Sequence, residues 1–195
     1  MTEVQISNSI QVIDNFLPPE VFGQFSCQIM GSPSYRVLPF TANAMEAINK
    51  NFIEIQAQAM LFNRHADGIE YSDAYELNYQ GIKSIKKLLK IKKLWQMRSI
   101  CIMGQNKSYQ GMYHADFPEL NLIAKPKIAI LYLNTNNGGT QFKDGEFVKS
   151  EANRCVIADG DALHAGVWQT DTKLRFVLNI NYEEDKTSYR KRLVG

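Results

Sequence analysis

The chain has 195 residues, with 22 Lys+Arg against 20 Asp+Glu for a formal net charge of +2, and it is 22% charged and 45% hydrophobic. That length fits one domain, and the balance excludes a disordered chain and supplies no bulk positive field that would demand nucleic acid. Twelve Gly and six Pro exclude collagen-like and low-complexity readings. The cysteines Cys27, Cys101 and Cys155 are too scattered for a disulfide framework or a CxxC zinc site, which favours a reducing compartment. Met1 to Gln5 carries no basic residue, and the longest apolar run, Ile128 to Leu133, falls far short of the roughly eighteen residues that span a bilayer. A cytoplasmic protein with no membrane partner is expected, its oligomeric state unread.

In chain order, Ile10 to Phe16 reads as a strand. Pro18-Pro19-Glu20 then opens a helix with Phe22, Phe25 and Ile29 on one face, closed at Gly31. From Asn43, with Glu46 placed for a capping box, apolar residues at Met45, Ile48, Phe52, Ile55, Ala59 and Phe62 predict a second helix. A third is predicted from Gly81 to about Leu94, with Ile82, Ile85, Leu88 and Leu89 set against a basic face of Lys83, Lys86, Lys87, Lys90, Lys92 and Lys93, continuing to Arg98. This basic run reads as a solvated face, as does the tail Arg190-Lys191-Arg192.

Beyond Met97 the period becomes strand-like. Met97 to Met103, Lys127 to Asn134, Thr140 to Lys143, Arg154 to Ala158, Leu163 to Gln169 and Leu174 to Tyr182 are expected strands, cut by turn signals at Asn136-Asn137-Gly138-Gly139, Asp144-Gly145 and Asp159-Gly160-Asp161. Helices followed by strands argue for α+β, in a single domain with a helical support region over 1–96, a β core over 97–182 and a tail over 183–195. In the last strand Leu174, Phe176, Leu178, Ile180 and Tyr182 alternate with Arg175, Val177, Asn179 and Asn181. A polar face there lines either water or a polar cavity.

Two of the three histidines, His65 and His114, each begin a His-Ala-Asp sequence. In an extended segment residues i and i+2 point the same way, so His114 and Asp116 are placed to grip one ion. His164 is the remaining histidine of the strand-rich half. Two imidazoles and one carboxylate on one face of an octahedron is the donor set of non-haem Fe(II) oxygenases, and the lack of thiolates argues against structural zinc. His65-Ala66-Asp67 ends a predicted helix and lacks a following Gly-Gly hairpin, so it is set aside. Arg175, on the polar side of the last strand, offers a two-pronged partner for a carboxylate.

These residues resemble the Fe(II)- and 2-oxoglutarate-dependent dioxygenases, most closely the prolyl 4-hydroxylase-like branch. The resemblance rests on His114-Ala115-Asp116, Leu131-Tyr132-Leu133-Asn134, Gly138-Gly139-Thr140-Gln141-Phe142, Gly160-Asp161-Ala162-Leu163-His164 and Arg175-Phe176, in that order, with a fainter match at Asp14-Asn15-Phe16-Leu17-Pro18. It implies a double-stranded β-helix, a jelly-roll or cupin-like barrel braced by the N-terminal helices. It implies iron held by His114, Asp116 and His164, with 2-oxoglutarate chelating the metal and its far carboxylate on Arg175, joined by Tyr132 and Asn179; ascorbate is an auxiliary. The implied reaction hydroxylates a prolyl or similar residue of a peptide or protein, or a free amino acid, and releases succinate and CO2.

The segment Cys101-Ile102-Met103-Gly104 stands where the family often places a tyrosine, leaving Tyr109 and Tyr113 as substitutes. Two rivals share the metal ligands. An oxidative demethylase of alkylated nucleic-acid bases usually carries a further arginine where Asn181 stands, and a non-oxidative cupin-type barrel has no need of Arg175. The segments Asn63 to Gln80 and Gln105 to Tyr113 are candidate loops over the barrel mouth.

Overall fold

A computed structural model describes residues 2–5, 10–32, 34–38, 56–65, 68–116 and 125–185. The strands are β1 (Thr2–Gln5), β2 (Ile10–Asp14), β3 (Arg36–Leu38), β4 (Gln56–His65), β5 (Gly68–Tyr71), β6 (Ile91–Met103), β7 (Lys127–Tyr132), β8 (Gly139–Phe142), β9 (Phe147–Lys149), β10 (Cys155–Asp159), β11 (His164–Val167) and β12 (Leu174–Glu184). The helices are α1 (Pro19–Met30), α2 (Asp73–Leu77) and α3 (Tyr79–Leu88). All strand pairs are antiparallel; the large sheet runs β1-β2-β10-β7-β12-β6-β4-β3 with β5 on β4, and the small sheet runs β11-β8-β9. This is the expected double-stranded β-helix.

Strand alternation builds two cores from one sheet. Leu178, Ile180 and Tyr182 of β12, Leu131 of β7 and Met97 of β6 face Phe25 and Ile29 of α1 and Ile82 and Ile85 of α3. The intervening residues Val177, Ile130, Tyr132, Ile100 and Ile102 face the small sheet, where Phe142 of β8 and Val148 of β9 meet them. The run Ile128 to Leu133 is apolar throughout because β7 is buried on both faces.

Two helix expectations change. Residues 43–55, with Asn43, Glu46, Met45, Ile48, Phe52 and Ile55, lie outside the described residues, and Ala59 and Phe62 stand in strand β4. Their helix-like step of three has a physical origin: the pairing of β4 with β6 shifts register between Met60 and Phe62, a bulge that breaks strict alternation and buries Ala59, Leu61 and Phe62 in the same core. The third helix stops at Leu88, since Lys90 has φ 50°, outside the helical region, and β6 begins at Ile91. Segment 1–96 thus supplies five strands and the start of β6 as well as helices. Lys83, Lys86, Lys87 and Lys90 are exposed, as expected; Arg98 belongs to β6, apart from them. Cys155 is buried and Cys27 exposed, and all three thiols are free. Residues 190–192 lie outside the described set.

Asn153 ties the N-terminal strand to the barrel. Its Oδ1 accepts from Leu17 N at 2.9 Å, its Nδ2 donates to Leu17 O at 2.8 Å, and its backbone carbonyl accepts from Phe16 N at 2.9 Å. It holds φ 65°, a region asparagine tolerates better than alanine. Asn153→Ala should destabilise the fold by about 2 to 4 kcal/mol, because both polar groups of buried Leu17 lose their partners and the backbone is strained. Asn153→Gly should recover only the strain. Chemical denaturation of the three proteins checks this, and equal stability of the alanine variant would refute it.

Candidate metal centre and its cavity

Residues on both sheets close around a cavity of about 450 Å³ that contains Arg98, Ile100, His114, Asp116, Ile130, Thr140, His164, Trp168, Arg175, Val177 and Asn179 in its lining. The loop from Gln105 to Tyr113 runs beside β11, with Tyr109 O accepting from Trp168 N at 2.8 Å and Gly111 N donating to Gly166 O at 2.9 Å. It delivers His114 opposite His164, where each residue's N–H donates to the other's carbonyl at 3.0 Å. Backbone pairing, then, brings together two histidines fifty positions apart. Their rings lie 4.7 Å apart between centroids.

The second nitrogen of each ring is already committed. His114 Nδ1 lies 3.1 Å from Met112 O and His164 Nδ1 3.0 Å from Ala162 O. A carbonyl only accepts, so each Nδ1 carries a proton, and in the neutral ring that leaves the lone pair on Nε2. Both lone pairs face Asp116 Oδ1, at 3.8 Å from His114 Nε2 and 3.9 Å from His164 Nε2. Those separations are too long for hydrogen bonds. One donor atom from each of the three residues lies within 4.8 Å of the others, the spacing of ligands around a shared ion.

Burial would raise the Asp116 pKa, but Arg98, His164 and His114 and the hydrogen bond from Asn181 outweigh it and hold the carboxyl below its ordinary value. Burial pushes His164 down, against the pull of Asp116. A carboxylate and an unprotonated imidazole are what a divalent cation requires. Arg98 Nη2 donates to Asp116 Oδ1 at 3.3 Å and Asn181 Nδ2 to Oδ2 at 3.2 Å. The sequence reading missed both supports, placing Arg98 on a solvated face and weighing Asn181 only as a missing arginine. Alternation carried the signal for each: Arg98, Ile100 and Ile102 share a strand face, as do Arg175, Val177, Asn179 and Asn181.

Arg175 forms the floor of the cavity. Its Nη1 donates to Gly139 O at 2.7 Å and Val167 O at 2.8 Å, both from the small sheet. Gly139 lets β9 pack closely on β8, because a Cβ there would lie 2.3 Å from Val148 O. Asn134 brackets the start of β12, donating to Leu174 O at 2.9 Å and accepting from Phe176 N at 2.8 Å. The Arg175 side chain is 2% exposed as a residue, its Nε has no partner, and no carboxylate pairs with it among the described residues. Burial pushes its pKa down to about 10, so it stays charged at neutral pH.

Asn179 lines the cavity with a buried Oδ1 that has no partner. Tyr132 stands apart. Its hydroxyl donates to Thr140 Oγ1 at 2.8 Å and faces Val148 O at 3.2 Å, and it is wholly buried between the sheets, so the cavity meets Thr140 in its place. Neither Tyr109, which packs edge-on against Trp168, nor the exposed Tyr113 lines the cavity. His65 pairs with Glu70 of β5, and the described residues of 63–80 form the end of β4, β5, α2 and the start of α3.

Solved structures resemble this fold. A prolyl hydroxylase from Trichoplax adhaerens, in complex with a hypoxia inducible factor oxygen degradation domain peptide fragment, matches with TM-score 0.58 and 14% identity over 97% of this chain and 88% of that one. A Pseudomonas putida prolyl-4-hydroxylase matches with TM-score 0.54 and 13% identity over 91% and 94%. The fold is that of the 2-oxoglutarate oxygenases. The epimerase SnoN, in complex with Fe3+, alpha ketoglutarate and nogalamycin RO, matches with TM-score 0.56 and 9% identity over 90% and 79%. No family model and no curated protein matches the chain.

Asp116→Asn keeps the shape of the side chain and removes its charge. It should lower Fe(II) affinity more than about 100-fold, beyond the usual loss from an outer support, while the protein stays folded. Anaerobic calorimetry with circular dichroism checks both, and wild-type affinity in this variant would remove the carboxylate from the ligand set.

Proposed function

We propose that the chain is an Fe(II)- and 2-oxoglutarate-dependent dioxygenase that hydroxylates a prolyl or similar residue of a peptide or protein, or a free amino acid, with succinate and CO2 as co-products. The observation that carries this reading is a buried guanidinium without a counter-charge in the same cavity as two imidazole lone pairs and one carboxylate. A buried unpaired charge costs several kcal/mol, so Arg175 is built for an anionic partner. The nitrogen and oxygen donors fit Fe(II).

His114 Nε2, His164 Nε2 and Asp116 Oδ1 would hold the iron, and Arg175 the far carboxylate of 2-oxoglutarate. When bound, the two supply the activation of dioxygen that no side chain can. The chain's own work is positional. The Met112 and Ala162 carbonyls fix the imidazole tautomers, and Arg98 and Asn181 orient the carboxylate. Ile100, Ile130, Val177 and Trp168 give the cavity an apolar wall that would limit water beside a bound metal. Ascorbate would serve only to restore Fe(II).

Two observations favour amino-acid or peptide substrates over nucleic acid. Asn181, where the demethylase pattern expects arginine, is spent on Asp116. Lys83, Lys86, Lys87 and Lys90 are exposed, and none lines the cavity. Neutralising Lys86, Lys87, Lys90 and Lys93 to Gln should leave succinate output almost unchanged. Steeply salt-dependent binding of single-stranded DNA or RNA, lost in that variant, would promote the demethylase.

The oxygenase reading is tested by anaerobic titration of Fe(II) and 2-oxoglutarate, then by a peptide and metabolite screen for substrate-coupled succinate. Arg175→Ala should weaken 2-oxoglutarate binding by about 2 to 5 kcal/mol with iron binding nearly intact, and Arg175→Lys should recover part. Unchanged 2-oxoglutarate affinity in Arg175→Ala would show that another group holds the carboxylate.

A further inference from the structure

The cavity holds a second guanidinium, and its position has a chemical consequence. The register of β12 on β6 sets Arg175 against Ile102, Val177 against Ile100 and Asn179 against Arg98. Arg98 therefore stands four strand positions from the level of Arg175, roughly 13 Å at the usual rise of a strand. Ile100 and Val177 lie between them, with Ile130 of β7 beside Asn179. On the outer flank β4 sets Gln58 against Ile100 and Gln56 against Ile102, and both glutamines line the cavity. The Asp116 side chain is 2% exposed, that of Arg98 23% and that of His114 42%, so the cavity opens at the Arg98 end.

Charge identifies what this end lacks. Among the described lining residues Arg98, Arg175 and Asp116 carry formal charge, which leaves one net positive. A divalent cation on the triad adds two positive charges and the 2-oxoglutarate dianion cancels them. One positive charge remains, and it belongs to Arg98, because Arg175 faces the co-substrate. The oxygen that partners Arg98, Asp116 Oδ1, is the same one that faces both imidazole nitrogens. A cation held among those three atoms would draw on this oxygen and repel the guanidinium, which would loosen the contact that holds Arg98. Arg98 Nε is already buried without a partner.

We propose that Arg98 receives a carboxylate of the substrate, with Gln58, two strand positions away, as a neutral hydrogen-bonding flank, so that the substrate is a small organic acid such as a free amino acid. This rests on the oxygenase reading and narrows it. Among the substrates considered above, a prolyl residue inside a peptide has no charge to offer Arg98, whereas a free amino acid brings one.

The test uses protein loaded with Zn(II) and 2-oxoglutarate, which binds without turning over, titrated by calorimetry with the standard L-amino acids, their carboxamides and the tripeptides that end in each. At least one free amino acid should bind, its carboxamide about 30-fold more weakly or worse, the cost of losing a charged partner. In Arg98→Gln, read at saturating Zn(II) and 2-oxoglutarate, the acid should fall to the level of its amide, while Zn(II) affinity drops by no more than the roughly 10- to 100-fold that losing an outer support costs. Arg98→Lys should restore part of the preference. The proposal is overturned if no acid in the panel binds, if amides bind as well as acids, or if Arg98→Gln keeps the preference. A loss of Zn(II) affinity in Arg98→Gln well beyond that range would make support of Asp116 the whole role of Arg98 and overturn the proposal. Binding of the tripeptide acids alone would move the carboxylate to a peptide C-terminus and overturn the small-molecule form. Failure of the wild type to bind 2-oxoglutarate, read before any acid is added, would sink the oxygenase reading itself.

Discussion

β12 lies between β6 and β7, and both of its faces are covered, one by helices and one by the small sheet. A strand so placed would ordinarily be apolar throughout. Here one face is Leu178, Ile180 and Tyr182, and the other offers Arg175, Asn179 and Asn181 around Val177. Burying those polar groups is costly unless each has a partner. The chain meets the cost in part for Asn181 with Asp116 and for Arg175 with the Gly139 and Val167 carbonyls. Arg175 Nε, Asn179 Oδ1 and Asn181 Oδ1 stay unmet, the first two on residues that line the cavity. The same alternation thus seals the helix-side core and creates the polar trough, and Arg175, Asn179, Asn181 and the paired Arg98 are all set by this strand.

Much of this was legible in the sequence for a physical reason. Alternation along residues 174–182 survives in the structure because β12 is regular there: its register with β6 holds without a break from Leu174 to Asn181. His114, Asp116 and His164 were legible because an i, i+2 pair in extended chain and a single remaining histidine leave few other arrangements. β4 was not, because its bulge converts a period of two into a local step of three, and sequence spacing cannot tell that from a helix turn. Arg98 was hidden for a different reason. It follows six lysines, of which Lys83, Lys86 and Lys87 belong to α3 while Lys92 and Lys93 share β6 with it, so the break at Lys90 leaves no change in the charge pattern. Tyr132 shows the limit of a pattern: alternation gives the correct side of β7, but whether its hydroxyl reaches the cavity depends on Thr140 from the other sheet, which spacing along one strand does not encode.

Asp116 is held from opposite sides. Arg98 and Asn181 contact its two oxygens from the large sheet, while the imidazole nitrogens of the mouth loop and of β11 stand beyond hydrogen-bond range. A carboxylate so enclosed would be costly to ionise without those positive and hydrogen-bonding neighbours, and with them it is ionised below its usual range. The fold therefore prepares the charge before any cation arrives, so that binding need not uncover or deprotonate the ligand.

The two guanidiniums differ in what surrounds them, and that difference assigns their work. Arg175 donates to two backbone carbonyls that belong to hairpin and strand, so its position is fixed by the fold itself and does not depend on what binds. Arg98 donates to a side chain that is itself placed to serve as a metal ligand, so its environment changes with the metal's charge. A fixed cation at the closed end suits a partner of constant shape, whereas a cation at the open end, released in part by what occupies the triad, suits a partner that arrives after it. The carbonyls on Arg175 cannot neutralise it, and the carboxylate on Arg98 must be shared. In both cases the unmet charge faces the cavity, which makes anion recognition a property of both of its ends.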